Sequence, residues 1–282
     1  MKTKKANSIV AILICLTILF TVSCDMFTNS LLKGAARDMS ETMKNASTSE
    51  LIASGANPDV IGDPAAAQAA MDALADKDLS EITPEEASNV CSLASSAILP
   101  VSNLMEALDK IIDSEKDDDN ESSDNPDGSQ TEEESNDATQ IIAEILDSIP
   151  PVNTAALEQV LGNENLVKEA EIGDVAMATV SLMASSLSKK DLESEEQQAI
   201  LEQISKNLSN ISSEEIKDGV TDETIDKVLA GTAFEDDSAM KTAVKAALTL
   251  KDRDDISSLS IGGFNLGELI GVKDEENENS SN

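Results

Sequence analysis

Apolar residues recur at helical spacing through most of this chain, and prolines and small polar residues mark where the runs begin and end. Asp63-Pro64 offers an N-cap followed by Pro at the first helical position, and the Ala-rich run behind it predicts a helix from Pro64 to about Ala75. Thr83-Pro84-Glu85-Glu86 repeats the device, with two acids where the helix dipole favours them. It predicts a helix to about Leu99, stopped by Pro100. Ser102 caps a third run, with Leu104, Met105, Leu108, Ile111 and Ile112 on one face. Ile141, Ile142, Ile145, Leu146 and Ile149 predict a helix from Thr139 that Pro150-Pro151 ends. Further helices are predicted from Thr154, over Asp174 to Ser188, over Ser194 to Leu208, from Thr221-Asp222 to Leu229 with Gly231 as the stop, and over Met240 to Leu250. Ile261 to Val272 is the last apolar stretch. Gly263, Gly267 and Gly271 recur in it every four residues, a spacing that suits close helix approach, so it reads as a terminal packing helix weakened by its glycines. No strand precedes it, which rules against a nucleotide-binding loop.

Sustained period-two alternation is missing, as are β-branched runs bounded by hairpin turns. The predicted fold class is all-α: a multi-helix bundle or a short α-solenoid of helical hairpins. A weak internal echo supports hairpins. Gly62-Asp63 opens a helix that reaches Lys77-Asp78-Leu79, and Gly173-Asp174 opens one that reaches Lys190-Asp191-Leu192; acids and a second helix follow each. Any capped hairpin produces such an echo, and the Trp and Tyr anchors of tetratricopeptide repeats are missing.

Composition changes the picture in two places. Ser114 to Asp137 holds 11 acids, one Lys and no large apolar residue, too little to offset ordering entropy, and is predicted to be a disordered acidic loop. The expected organisation is therefore a leader at 1–23, a tether at 24–50, helical regions at 51–113 and 138–272 that form one domain or two, the acidic linker at 114–137 and an acidic tail at 273–282. Over the whole chain, 20 Lys and Arg stand against 55 Asp and Glu, a net charge of −35, with no His, Trp or Tyr and four Phe. Nucleic acid is excluded as a partner, because phosphate neutralisation by Lys and Arg supplies most of that affinity. Lack of His removes Ser-His-Asp and Cys-His catalysis and His-ligated zinc.

The amino end carries the most specific signal. Lys2, Lys4 and Lys5 form a basic start, and Ile9 to Val22 is an apolar or small-residue run of 14. That is short for a membrane span of about 30 Å and suits the core of a signal peptide. The run closes on Phe20-Thr21-Val22-Ser23-Cys24, which resembles the lipobox of bacterial lipoproteins. Thr21 stands where the usual box has Leu, so the resemblance is to the relaxed, spirochaete-type box. It covers about a tenth of the chain and says nothing of the body's activity. It implies that Cys24 receives a diacylglycerol, becomes the first residue of the mature chain, and ties it to a membrane of the cell envelope. The alternatives are an ordinary secretory signal that contains a Cys, or an uncleaved anchor. On the lipoprotein reading Cys15 leaves with the signal, Cys24 is acylated, and Cys91 is the only thiol left, so no intramolecular disulfide forms. Behind Cys24, Met26, Phe27, Leu31, Ala35, Met39 and Met43 recur near helical spacing, as the first helix of the domain or one lying on the membrane; the few cations favour the first.

Candidate chemistry is sparse. Ser123-Asp124-Asn125-Pro126-Asp127-Gly128 with Glu134 overlays the spacing of an EF-hand loop, but Ser at position one and an internal Pro break it, and weak diffuse binding of divalent cations is the better expectation. Ser186-Leu187-Ser188-Lys189 spells the SxxK of penicillin-binding proteins; Ser123-Asp124-Asn125 precedes it, Lys241-Thr242-Ala243 lacks the Gly of the third motif, and no sheet is predicted, so it reads as coincidence. Cys91 lies on an apolar helical face and reads as a small core residue. No catalytic residue, metal ligand or cofactor is assigned, and Cys24 is the one site residue. The expected function is that of a non-enzymatic, lipid-anchored binding or scaffolding module for a protein partner or a small apolar ligand. The alternatives are the ligand-binding part of a transport system and, behind it, a carboxylate-dependent envelope hydrolase.

Overall fold

A computed structural model describes residues 43–99, 145–253 and 255–256, with the backbone of 260–261 and 264–265. The fold is all-α. Eleven α-helices are described from end to end: α1 (Thr48–Ala53), α2 (Pro58–Ile61), α3 (Pro64–Leu74), α4 (Pro84–Ile98), α5 (Ala155–Gly162), α6 (Glu164–Glu169), α7 (Ile172–Ser188), α8 (Ser194–Asn210), α9 (Ser213–Ile216), α10 (Asp222–Leu229) and α11 (Ser238–Lys251). A 3-10 turn, Ser54–Ala56, links α1 to α2, and residues 145–148 form a further helical turn.

N-termini are closed locally, as the sequence suggests. Asp63 accepts from the Ala65 and Ala66 amides ahead of α3, with Pro64 at its first position. Thr83 and Glu86 form a reciprocal capping box on α4, and Ser47–Glu50 and Ser212–Glu215 do the same for α1 and α9. α7 starts two residues earlier than the sequence suggests, because the Glu171 side chain, rather than Asp174, takes the cap by accepting from the Asp174 amide at 2.9 Å. α10 ends before Gly231, whose φ of +76° is open to glycine and strained for other residues.

C-termini are closed from a distance, largely by the last helix. The Lys245 ammonium of α11 donates to the Gly162 carbonyl at the end of α5, at 3.0 Å. Lys251 donates to the Leu208 and Ile211 carbonyls at the end of α8, at 2.9 and 2.8 Å. Arg253, just past α11, donates to the Val167 and Ala170 carbonyls at the end of α6, both at 2.8 Å, and also pairs with Asp255. Gln203 and Asn207 of α8 cap α10 by donating to the Ala230 and Val228 carbonyls. A cation at a helix C-terminus meets both orphan carbonyls and the negative end of the dipole.

Two apolar clusters share α7 and α11. The first gathers the buried faces of α3 through α7 with Ala243, Ala246 and Leu250 of α11. Its residues come from both sides of 100–144, so α3 and α4 share a core with α5 to α7. The second holds Leu187, Ile204, Ile216, Val228, Leu229 and Phe234 with Met240, Val244 and Leu248 of α11. Thus α11 presents one stripe, 243/246/250, to the first cluster and another, 240/244/248, to the second. Ile145, Ile149, Met183 and Ala184 lie half-buried against both. Small side chains let the helices approach closely. At Gly55 there is no room at all: a β-carbon there would overlap the Asn89 carbonyl in the middle of α4.

One predicted helix is corrected. The stretch expected to begin a terminal helix at Ile261 contains two short antiparallel strands, β1 (Ser260–Ile261) and β2 (Phe264–Asn265), with Ile261 opposite Phe264. Gly262-Gly263 stands between them in sequence, and such a pair disfavours helix. Residues 266–272 of that stretch, the helix predicted from Ser102, the 139–144 part of the next one and the acidic segment 114–137 lie outside the described residues.

Gly55→Ala is expected to lower stability by about 3 kcal/mol, since the clash is with backbone and cannot be relieved by a rotamer change; urea denaturation measures it, and a loss under 0.5 kcal/mol would contradict the close approach. Lys251→Met, which keeps the stem but loses two charged hydrogen bonds, is expected to cost about 2–3 kcal/mol, against under ~0.5 kcal/mol for Lys217→Met on the surface. Equal urea midpoints for the two variants would show that the cap carries no stability.

Candidate functional site

Cys24, the one site residue assigned from the sequence, lies outside the described residues, as do Ser123 to Glu134 and Gly267 and Gly271. What the body offers is a polar seam inside an apolar interface, where α4 packs directly against α7. α4 buries Ala87, Cys91, Ala94 and Ile98 there, and α7 buries Val175, Ala178 and Leu182.

Ser88 and Ser92 of α4 meet the start of α7 along this seam, at the Glu171 amide and the Asp174 carboxylate. Ser92 of α4 donates its hydroxyl to Asp174 Oδ1 of α7 at 3.0 Å. One turn earlier, Ser88 donates to the Pro84 carbonyl and accepts from the Glu171 amide at 2.9 Å, so it ties the start of α7 to α4. Ser95 turns back to the Cys91 carbonyl of its own helix. Asp174 is largely removed from water, and its carboxyl is raised from the ordinary 3.8 to about 6. Burial is the main cause; the Ser92 hydrogen bond opposes it and the Glu171 charge adds to it. This is the raised carboxyl that sequence reading alone could not pick out among 55 acids. A hint was present: an acid three residues into a strongly apolar helix, beside Gly173.

Cys91 lies beside this carboxylate and is fully buried. Burial first, and then the Asp174 charge, push its thiol well above the ordinary thiol range. The thiolate needed for nucleophilic or metal chemistry is therefore disfavoured, in line with the reading of a small core residue. Ser186, first residue of the SxxK spelling, is also buried, and its hydroxyl has no hydrogen-bond partner; nor do those of Ser181 and Ser185 on the same helix. Lys189 is the C-cap residue of α7 and Lys241-Thr242-Ala243 lies in α11, while Ser123-Asp124-Asn125 is outside the described residues. Among the described residues no group of three or more Cys, Asp or Glu is placed to hold a metal ion.

Among the described residues, a surface hollow of about 420 Å³ is lined by Lys44 and by Ala65, Gln68, Ala69, Asp72 and Ala73 of α3. No protein family matches the chain, and none of the curated proteins or solved structures compared with it does either.

The seam makes stability depend on pH in a definite direction. The folded Asp174 carboxyl holds its proton more tightly than the unfolded one, so its contribution is favourable below pH 3.8 and is lost as pH rises through 6. The shift corresponds to about 2–3 kcal/mol, reduced by the favourable dipole at the start of α7. Asp174→Asn keeps an oxygen for the Ser92 hydroxyl, and is expected to be about 2 kcal/mol more stable than the native chain at pH 7.5 and no more stable at pH 4. Urea midpoints at the two pH values decide it; a variant less stable at pH 7.5 would show that Asp174 is held by interactions outweighing its burial.

Proposed function

We propose that this chain is an exported lipoprotein of a bacterial envelope, held to a membrane through acyl groups on Cys24, and that its helical body is a binding or scaffolding module. The observation that carries the reading is the basic start, the apolar run of Ile9 to Val22 and the small residue directly before Cys24. Acylation supplies the anchor in this reading: each buried CH₂ contributes about 0.8 kcal/mol, so two or three chains hold where one does not. Among the described residues no helix is long and apolar enough to cross a membrane.

The body supports a binding role through how its groups are spent. Its scarce cations at Lys245, Lys251 and Arg253 go to helix ends, Cys91 is sealed in the core, and Asp174 is tied to Ser92 inside a helix interface. The outward-facing surface is acidic, and suits a protein partner with a basic or neutral face.

Metabolic labelling with palmitate in a lipoprotein-processing host tests the anchor. The native chain is expected to take up label, run at the size of a polypeptide shortened by the leader, and enter the detergent phase. Cys24→Ser is expected to remain at precursor size, unlabelled. An unlabelled native chain whose processing and partitioning Cys24→Ser leaves unchanged would end the lipoprotein reading.

A further inference from the structure

We propose that α8 is a lid over the second apolar cluster: it lifts away as a unit while the rest of the body stays folded, and the Lys251 ammonium is the latch that holds it shut. The inference concerns movement within the body, goes beyond the lipoprotein reading, and holds whether or not Cys24 carries lipid.

Burial sets α8 apart. α7 and α8 both have 17 residues, yet α7 buries eleven of them and α8 only two, Gln197 and Ile204. The apolar stripe of α8 is shallow. Ile200, Leu201 and Leu208 lie half-buried against the second cluster, and Ile204 is the one apolar residue of the helix that enters it fully. Glu195, Glu196, Glu202 and Lys206 are exposed, and among the described residues no ion pair ties α8 to a neighbour. Few buried apolar groups are what a segment of low local stability has in common with other segments that open first.

Polar ties hold the C-terminal half. Gln203 and Asn207 donate to the Ala230 and Val228 carbonyls at 2.8 and 2.9 Å, and Lys251 donates to the Leu208 and Ile211 carbonyls at 2.9 and 2.8 Å. The first turn is closed from within, by the Glu193 amide donating to Glu196 at 3.1 Å, so it needs no neighbour. Lifting α8 hands the freed groups to water rather than stranding them in the interior, which keeps the cost of opening low. Both flanks are anchored independently. Before α8, Lys190 meets the Phe234 ring and the Ala233 carbonyl; after it, Ile216 is buried in the second cluster. The movement is thereby confined to the chain between those anchors. The floor stays in place, because Leu187 of α7 and Val244 and Leu248 of α11 belong to helices that also serve the first cluster.

Hydrogen exchange in the native full-length chain tests the lid without any substitution. Corrected for intrinsic rates, the hydrogen-bonded amides of α8 are expected to exchange at least about a hundredfold faster than those of α7 and α10, and with a smaller urea dependence. A thiol supplies a second readout. Cys15→Ser and Cys24→Ser leave Cys91, buried in the first cluster, as an internal reference, and Ile204→Cys puts a thiol on the inner face of the lid. In urea well below the unfolding midpoint, the thiol of Ile204→Cys is expected to react with N-ethylmaleimide at least about fiftyfold faster than Cys91. Lys251→Met is expected to speed exchange of the α8 amides at least about tenfold. One rate and one urea dependence shared by α8 and α7, equal reaction of the two thiols, or α8 exchange unchanged by Lys251→Met would each overturn the proposal. Amides of α10 exchanging together with those of α8 would overturn it in favour of a larger opening unit. None of these readouts involves acylation, so they stand apart from the palmitate experiment.

Discussion

Every α-helix ends in carbonyl groups that its own hydrogen-bond ladder cannot use. A chain that folds into many short helices multiplies those ends, and one with 20 Lys and Arg against 55 Asp and Glu has few cations to meet them. The acids serve the opposite ends without difficulty, as the capping boxes at Ser47, Thr83 and Ser212 show. The C-termini are the constraint. Three basic residues close together in sequence, Lys245, Lys251 and Arg253, answer it by closing α5, α8 and α6 in turn. Lys251 is 5 % exposed; burial lowers the affinity of its ammonium for its proton, the Glu215 charge opposes that, and the two carbonyls accept its hydrogen bonds. The helix that carries these clamps also divides its apolar surface between the two clusters, so capping and packing converge on α11.

Small side chains set the second condition. With Ala, Ser, Cys and Gly at the contacts, α4 and α7 come close enough that serines find partners across or along the seam, and Gly55 touches α4 backbone. The same closeness leaves the hydroxyls of Ser181, Ser185 and Ser186 buried without partners, each at a cost of about 1–3 kcal/mol, and removes Asp174 from part of its water. Phe234 is the exception in bulk. It fills the second cluster, and the Lys190 ammonium sits 5.1 Å from its ring centre while donating to the Ala233 carbonyl.

Where the chain announces itself locally, the sequence was readable. Pro64, Pro84 and Gly231 act through the backbone of their own residues, and α3, α4 and α10 stop and start within a residue or so of the expected places. The helix predicted from Met240 begins two residues sooner because Asp237 takes the cap. α2, α6 and α9 escaped notice, since four to six residues are too few to show a period. The local pattern marks Asp174 only as an acid near the start of an apolar helix; its partner Ser92 is 82 residues away in sequence and belongs to α4. Likewise Lys251 and Arg253 read as an ordinary polar end to a helix, and only the approach of α8 and α6 gives them their roles.

That the clamps follow, in sequence, every helix end they close has a consequence for how the body is completed. A nascent chain emerging from its amino end presents α5, α6 and α8 long before the residues that close them. Until position 253 is free of the ribosome, three helix ends stay open and neither cluster has its α11 stripe. Completion of the body thereby waits for residues 245–253, and a stop codon anywhere before Lys245 would release a product with those carbonyls bare and both cores lacking their α11 stripe.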